Sequence, residues 1–271
     1  MDCLRTLTPH PAMTRPPLPD AQNARVPSAG QDSYWTQRLL DIAVALPALL
    51  VAVPVVIVAA ILVRLTSRGP AFYSQQRSGR DGRPFRILKL RTMYHNCEAE
   101  SGACWSTAGD PRITRVGRWL RKLHVDELPQ IGNVLRGEMS VVGPRPERPE
   151  IIDDLAASIP DYLERLAVRP GVTGLAQIQQ PPDVTSDCVR RKLLYDRHYI
   201  RNRSLATDFR IIFGTALYLA GVSYAGVRRL AGFTVPAMPD DVVSYRIPAA
   251  PCDAPATLSA SMLESPQGVS G

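Results

Sequence analysis

Asp126 and Glu127 stand side by side in a part of the chain crowded with cations. Residues 64–148 hold 16 Lys and Arg against 8 Asp and Glu, so this stretch carries +8, while the rest of a chain of net charge +7 sums to −1. Neighbouring cations depress carboxylate pKa values, which predicts that both side chains are ionised and available to a hard divalent ion. Mg2+ is usually held by one or two carboxylates together with substrate phosphates, and the pair meets that requirement. The same dipeptide also suits a helix N-terminus, where the dipole favours negative charge, and Pro129 fits a first-turn position there.

The surrounding cations are of a kind that holds phosphate. Residues 85–90 alternate apolar and basic side chains as a half-buried strand would, bringing Arg86, Lys89 and Arg91 close together. Guanidinium groups bind phosphate through paired, charge-assisted hydrogen bonds. Asp110-Pro111 is placed to open a helix in which Val116, Leu120 and Leu123 recur at near-helical spacing, with Arg112, Arg115, Arg118, Arg121 and Lys122 on the other face. Gly143-Pro144-Arg145-Pro146 follows a short apolar strand at 139–142 and holds its arginine in a rigid loop, which reduces the entropy lost on binding an anion. Arg169-Pro170-Gly171-Val172-Thr173-Gly174 is a second rigid turn built round an arginine, with glycines that allow close backbone approach to a ligand. A basic run can equally be a solvated surface or a nucleic-acid face. The sharper reading is a site for phosphate-rich ligands beside an anionic membrane surface.

These side chains need a frame. Residues 42–63 are 22 residues without a charge, enough for a helix to span a bilayer, for which about 20 suffice. Pro47 and Pro54 interrupt the segment, and basic residues flank both of its ends, Arg38 before and Arg64 and Arg68 after. A spanning helix usually shows a charge bias toward one side, so this symmetry fits a hairpin-like helix that enters and leaves by one face. A cleavable signal peptide fits poorly, because the region before the apolar stretch is long and the stretch itself exceeds 7–15 residues. Residues 71–75 read as a strand, 78–82 as a tight loop, and 209–230 as an amphipathic helix in the membrane plane or a core helix. Twelve of the 25 prolines lie in 1–33 and 231–271, segments without apolar periodicity that are expected to be disordered.

Composition excludes other classes. At 45% hydrophobic and 21% charged the chain is neither a disordered polyampholyte nor a polytopic membrane protein, and five scattered cysteines in 271 residues are no disulfide scaffold. The four histidines show no metal spacing, and no dinucleotide or P-loop glycine pattern is present.

With these residues in view, the chain resembles the bacterial sugar transferase family, the monotopic polyprenyl-phosphate phosphoglycosyl transferases. The matching blocks run from about Arg38 to about Arg229: Arg38-Leu39-Leu40-Asp41, the proline-broken apolar segment, residues 85–93, Asp126-Glu127-Leu128-Pro129-Gln130, Gly143-Pro144-Arg145-Pro146 and 169–174. Tyr195-Asp196, Tyr199 and Asp208 also fall where the family places them. The resemblance implies that a UDP-sugar donates its sugar 1-phosphate to undecaprenyl phosphate with release of UMP, through an aspartyl-phosphosugar intermediate, to begin exopolysaccharide or O-antigen synthesis. Asp126 would be the nucleophile, Glu127 would help place Mg2+ and the acceptor, and Arg121 and Arg145 would lie near the phosphates. It also implies a re-entrant first helix broken at Pro54, where Val53 replaces the usual serine.

The expected architecture is therefore α/β, mainly α with short strands: a monotopic protein of the bacterial inner membrane, with its catalytic domain on the cytoplasmic face. The expected divisions are a tail at 1–33, a re-entrant helix at 34–66, a catalytic domain with interfacial helices at 67–230 and a tail at 231–271. The expected partners are the UDP-sugar, undecaprenyl phosphate and membrane lipid but no nucleic acid, with homo-oligomerisation left open and no residue discriminating among sugars. The competing reading is a membrane-anchored basic module that binds acidic lipid or nucleic acid without catalysis. A pure binder has no need of Asp126-Glu127 inside a positive field.

Overall fold

The computed structural model describes residues 31–95, 97, 109–180 and 186–234, so all but the inner ends of the two expected tails lie outside the described residues. The architecture is mostly helical with a few short strands. Helix α1 (Gln31–Thr66) has 36 residues and stays helical through Pro47 and Pro54, so no interruption occurs at the predicted break. At 1.5 Å per residue it is about 54 Å long, and its part Tyr34–Thr66 is long and apolar enough to cross a membrane.

The buried positions Asp41, Ala45, Ala52, Ala59 and Val63 succeed one another at intervals of 4, 7, 7 and 4, a single stripe down one side of α1. Pro47 and Pro54 each come two residues after a stripe position, about 200° round, on the exposed side. A proline ring clashes with the carbonyl four residues before it, and both rings stand on the side away from the packed stripe while the helical run continues through them. The exposed side carries Leu50, Val51, Ile57, Val58, Ile61 and Leu65, a broad apolar surface that monomeric soluble proteins rarely show.

Both halves of α1 rest on the same body. Near its start, Arg38 donates to the carbonyls of Val134 and Leu135 at 2.5 Å each, and Gln37 donates to the Tyr199 hydroxyl at 3.1 Å. Ala45 packs with Val134 and Met139. Near its end, Ala59 and Val63 pack with Leu90 and Leu120.

Strands β1 (Phe72–Ser78) and β2 (Pro84–Leu90) form an antiparallel hairpin with Tyr73 opposite Lys89 and Arg77 opposite Phe85. Helix α2 (Arg115–Lys122) starts later than Asp110-Pro111 suggests, because the Thr114 hydroxyl caps it by accepting from Gly117 N at 2.9 Å. Asp110 instead pairs with the Arg112 guanidinium at 2.7 Å. A Cβ on Gly117 would lie 2.0 Å from the Thr92 carbonyl oxygen, so only glycine lets α2 sit against the end of the hairpin. A 3-10 helix (Val125–Gln130) leads into α3 (Ile131–Arg136), which ends at Gly137 with φ 81°.

Strands β3 (Ser140–Val142) and β4 (Gly171–Thr173) pair in parallel, Ser140 with Gly171. Between them lie α4 (Pro149–Ser158) and a 3-10 helix (Tyr162–Ala167). Helix α5 (Ser186–Arg201) follows, and residues 209–230 divide between α6 (Leu205–Leu219) and α7 (Tyr224–Leu230). Gly221, at φ 88°, stands between those last two helices. Val142, Ile178, Tyr195, Tyr199, Ile211 and Val227 form the main core, and Ile152, Leu155, Tyr162, Leu166 and Val189 a second one.

Candidate active site

Alternation along β2 decides which of its cations faces inward. Ile87 is buried and Lys89 half-buried toward the following 3-10 helix, whereas Arg86 and Leu88 are exposed. Lys89 Nζ lies 2.8 Å from Glu127 Oε1. From the other side Arg145 donates its Nη1 to Glu127 Oε2 at 3.1 Å and its Nη2 to Oε1. Glu127 therefore has both oxygens engaged by two cations. Burial alone would raise its pKa, but Arg145 and Lys89 outweigh that and hold it well below the usual glutamate value.

Asp126 is in the opposite condition. Only 8% exposed, its carboxylate accepts no hydrogen bond from another described residue. Burial first, and the charge of Glu127 second, push its pKa up, against the pull of Lys89, Arg121 and Arg145. A carboxylate that is poorly solvated and free of donors is a stronger nucleophile than one in water. The turn that presents it is tight, since His124, just before the 3-10 helix, takes the left-handed conformation at φ 55°.

The structure thus brings Asp126, Glu127, Lys89 and Arg145 together, with Arg121 near enough to act on Asp126 and tied through Nε to Thr92 Oγ1 at 2.8 Å. It places the other predicted residues elsewhere. Arg86 points off the opposite face of β2. Arg91, one residue past that strand, donates to the carbonyls of Ser67 and Arg68 and so holds the turn that follows α1. Arg169 stacks over the Tyr34 ring at 4.2 Å and stands 4.0 Å from Asp41. Asp196 is buried against Arg165 at 3.0 Å. Around that pair are residues the sequence did not single out: Glu147, Arg77, Arg165 and Lys192 join in one buried charge network behind Arg145. They lie on separate elements, which local pattern does not connect.

Among the described residues no three His, Cys, Asp or Glu side chains converge as a metal site. What is available to Mg2+ is the unengaged carboxylate of Asp126 beside the already neutralised Glu127. That set fits an ion that draws most of its ligands from substrate phosphates and water.

A long, apolar helix packed on the body that carries a carboxylate pair in a cradle of cations marks a membrane-associated class of phosphate-handling protein. The chain belongs to the bacterial sugar transferase family, whose sequence profile it matches over residues 32–221. It is 43% identical to a UDP-N-acetylgalactosamine-undecaprenyl-phosphate N-acetylgalactosaminephosphotransferase of Aeromonas hydrophila, over 67% of this chain and 43% of that protein. It is 45% identical to a UDP-glucose:undecaprenyl-phosphate glucose-1-phosphate transferase of Caulobacter vibrioides, over 66% of this chain and 67% of that protein. It is 40% identical to the exopolysaccharide production protein PSS of Rhizobium leguminosarum bv. phaseoli, over 67% of this chain and 93% of that protein. The match thus covers less than half of the Aeromonas relative but nearly all of the Rhizobium one.

Proposed function

We infer that the protein transfers a sugar 1-phosphate from a UDP-sugar to undecaprenyl phosphate, releasing UMP, as an initiating step of exopolysaccharide-type synthesis. The observation that carries this is the asymmetry of the pair: Glu127 is clamped at both oxygens, while Asp126 is buried and unengaged. An Asp126 oxygen attacks the β-phosphorus, the new P–O bond forms as the bond to the UMP oxygen breaks, and UMP departs with the electron pair. The acceptor phosphate then attacks the same phosphorus and restores the Asp126 carboxylate. Arg145 and Lys89, fixed on Glu127, present positive charge where the phosphoryl oxygens gain negative charge. Asp126, with Glu127 beside it, would hold Mg2+, and a bound ion would supply further neutralisation of the diphosphate. The relatives act, by their names, on UDP-glucose and UDP-N-acetylgalactosamine with undecaprenyl phosphate, which supports this donor and acceptor class.

The same reading includes topology. Both halves of α1 pack on one body while its other side is apolar and exposed, which supports a re-entrant helix over a spanning one. Trp119 and Leu123 at α2 and Phe209, Phe213 and Leu219 on α6 are exposed as well and suit contact with the interface. The catalytic unit of 67–230 would then sit on the cytoplasmic face of the bacterial inner membrane, where UDP-sugars are made. A non-catalytic binder of acidic lipid or nucleic acid leaves the buried, unengaged Asp126 without a purpose.

The test is UMP release by the full chain in vesicles containing undecaprenyl phosphate and Mg2+, across a panel of UDP-sugars. Release with at least one donor, lost in Asp126→Asn, is the expected result. Full turnover by Asp126→Asn would remove Asp126 as nucleophile, and no release with any donor would remove the activity itself.

A further inference from the structure

The loop that carries Arg145 is held from outside at four consecutive carbonyls. Gly171 N donates to the Pro144 carbonyl at 2.9 Å, Arg165 Nη2 to that of Arg145 at 2.9 Å, Arg77 Nη1 to that of Pro146 at 3.0 Å, and Ser78 N to that of Glu147 at 3.0 Å. Two of these four donors are guanidiniums, and both face one carboxylate. Glu147 lies 3.5 Å from Arg77 and 3.9 Å from Arg165, and 2.6 Å from Lys192. Arg165 is braced further by Asp196 at 3.0 Å and by the Tyr162 hydroxyl at 2.7 Å.

We propose that Glu147 is a positioning residue for Arg145: by gathering Arg77 and Arg165 it fixes the loop backbone that aims the Arg145 guanidinium at Glu127. The proposal rests on the reading of Asp126 and Glu127 as the reacting pair. Without the Glu147 carboxylate, Asp196 alone stands against the cations Arg77, Arg165 and Lys192, with Arg145 a fourth close by, and Arg77 has lost its carboxylate partner. They relax apart, and the carbonyls of Arg145 and Pro146 lose their fixed donors. Burial alone would raise the Glu147 pKa, yet Lys192, Arg165 and Arg77 outweigh it and hold it at about 2, so the carboxylate is charged at any working pH. The chain of action then runs from Glu147 through two guanidiniums and two carbonyls to Arg145, and through Arg145 to the state of Glu127. Glu147 itself touches neither carboxylate of the pair.

Two readouts test this on the full chain in vesicles containing undecaprenyl phosphate. The first needs no turnover: arginine labelling by phenylglyoxal, mapped by mass spectrometry, because an ion-paired guanidinium is protected. Arg145 should be labelled several-fold faster in Glu147→Gln than in the unsubstituted protein, while Arg118 is labelled alike in both. Arg165→Lys, which keeps the charge but not the planar fork, should also expose Arg145, and it puts the same question should Glu147→Gln not fold. Unchanged protection of Arg145 in the folded variants overturns the proposal, whatever the activity.

The second readout is UMP release from UDP-glucose and UDP-N-acetylgalactosamine. Glu147→Gln should lower turnover by up to about 100-fold, as misplacement of a catalytic group does. The same substitution in an Arg145→Lys background should cost little more, because the route through Arg145 is already lost. Equal losses in both backgrounds would make Glu147 a general structural residue and sink the proposal. Absence of UMP release from the unsubstituted protein would count against the function, and the labelling would still decide the positioning.

Discussion

The carboxylate of Asp41, less than one turn beyond Arg38 on α1, accepts a hydrogen bond from the Ser140 hydroxyl at 2.7 Å, across 99 residues of sequence. The same oxygen accepts from the Val141 amide at 2.7 Å. This junction fastens the helix to the first residues of β3, directly ahead of the loop that carries Arg145.

Ser140→Ala removes one of these donors and leaves the other. It should cost about 1 kcal/mol, which for a chain of this size lowers the melting temperature by about 2–4 °C. Asp41→Ala leaves a buried hydroxyl and a buried amide without an acceptor and should cost about 3 kcal/mol. Melting curves in nanodiscs measure both, and equal, negligible losses would mean that the junction adds nothing.

Glu127 depends on two cations of different geometry. Lys89→Met removes a point charge, and Arg145→Lys keeps charge but cannot bridge both oxygens. Each should lower the rate of UMP release by about 100-fold, the usual cost of losing one preorganised electrostatic contact. A loss in only one of them would show that the other cation is structural.

Asp208, buried in the first turn of α6, accepts from the Tyr199 hydroxyl at 2.9 Å, and burial raises its pKa to about 6 despite that bond. In acid, below about pH 4, folded and unfolded chains alike hold this proton. As the pH rises through about 6, the folded protein acquires a buried charge that the unfolded chain solvates freely, so stability present in acid is lost by neutrality. Asp208→Asn cannot ionise and keeps the oxygen that Tyr199 needs. It should melt higher than the parent at pH 7.5, by a margin of up to about 3 kcal/mol, and the gap should close toward pH 4. A gap independent of pH would refute this account.

A cysteine introduced at Thr36 and one at Arg68, in a chain with its native cysteines replaced, should both react with an impermeant thiol reagent from the cytoplasmic side. Labelling from opposite sides would make α1 a spanning helix.

The carboxylate pair, the long apolar helix and the rigid Arg145 loop were legible in the sequence because each is a local signal: adjacency, length without charge, and proline spacing. Lys89 and Arg145 were legible as cations, but their common target was not, since it lies 38 and 18 residues away on a different element. Period-2 alternation could have separated Arg86 from Lys89, and it was outweighed by their shared charge. Arg91 read as a phosphate ligand because a guanidinium that binds the carbonyls of a turn has the same sequence signature. The 3-10 helix Tyr162–Ala167 carried no motif and α5 was marked only by Tyr195-Asp196 and Tyr199, so Arg165, Lys192 and the packing that holds Arg145 were not legible.

The contact of Ala59 and Val63 with Leu90 has a mechanical consequence. Leu90 follows Lys89 on β2, so under the re-entrant topology the immersion depth of α1 sets the height of Asp126 relative to the plane of lipid headgroups. One helical turn is about 5.4 Å, more than the reach of a single attack trajectory. Under that topology the helix would act as a gauge between headgroups and nucleophile, and turnover should register how deeply the lipid lets the helix settle.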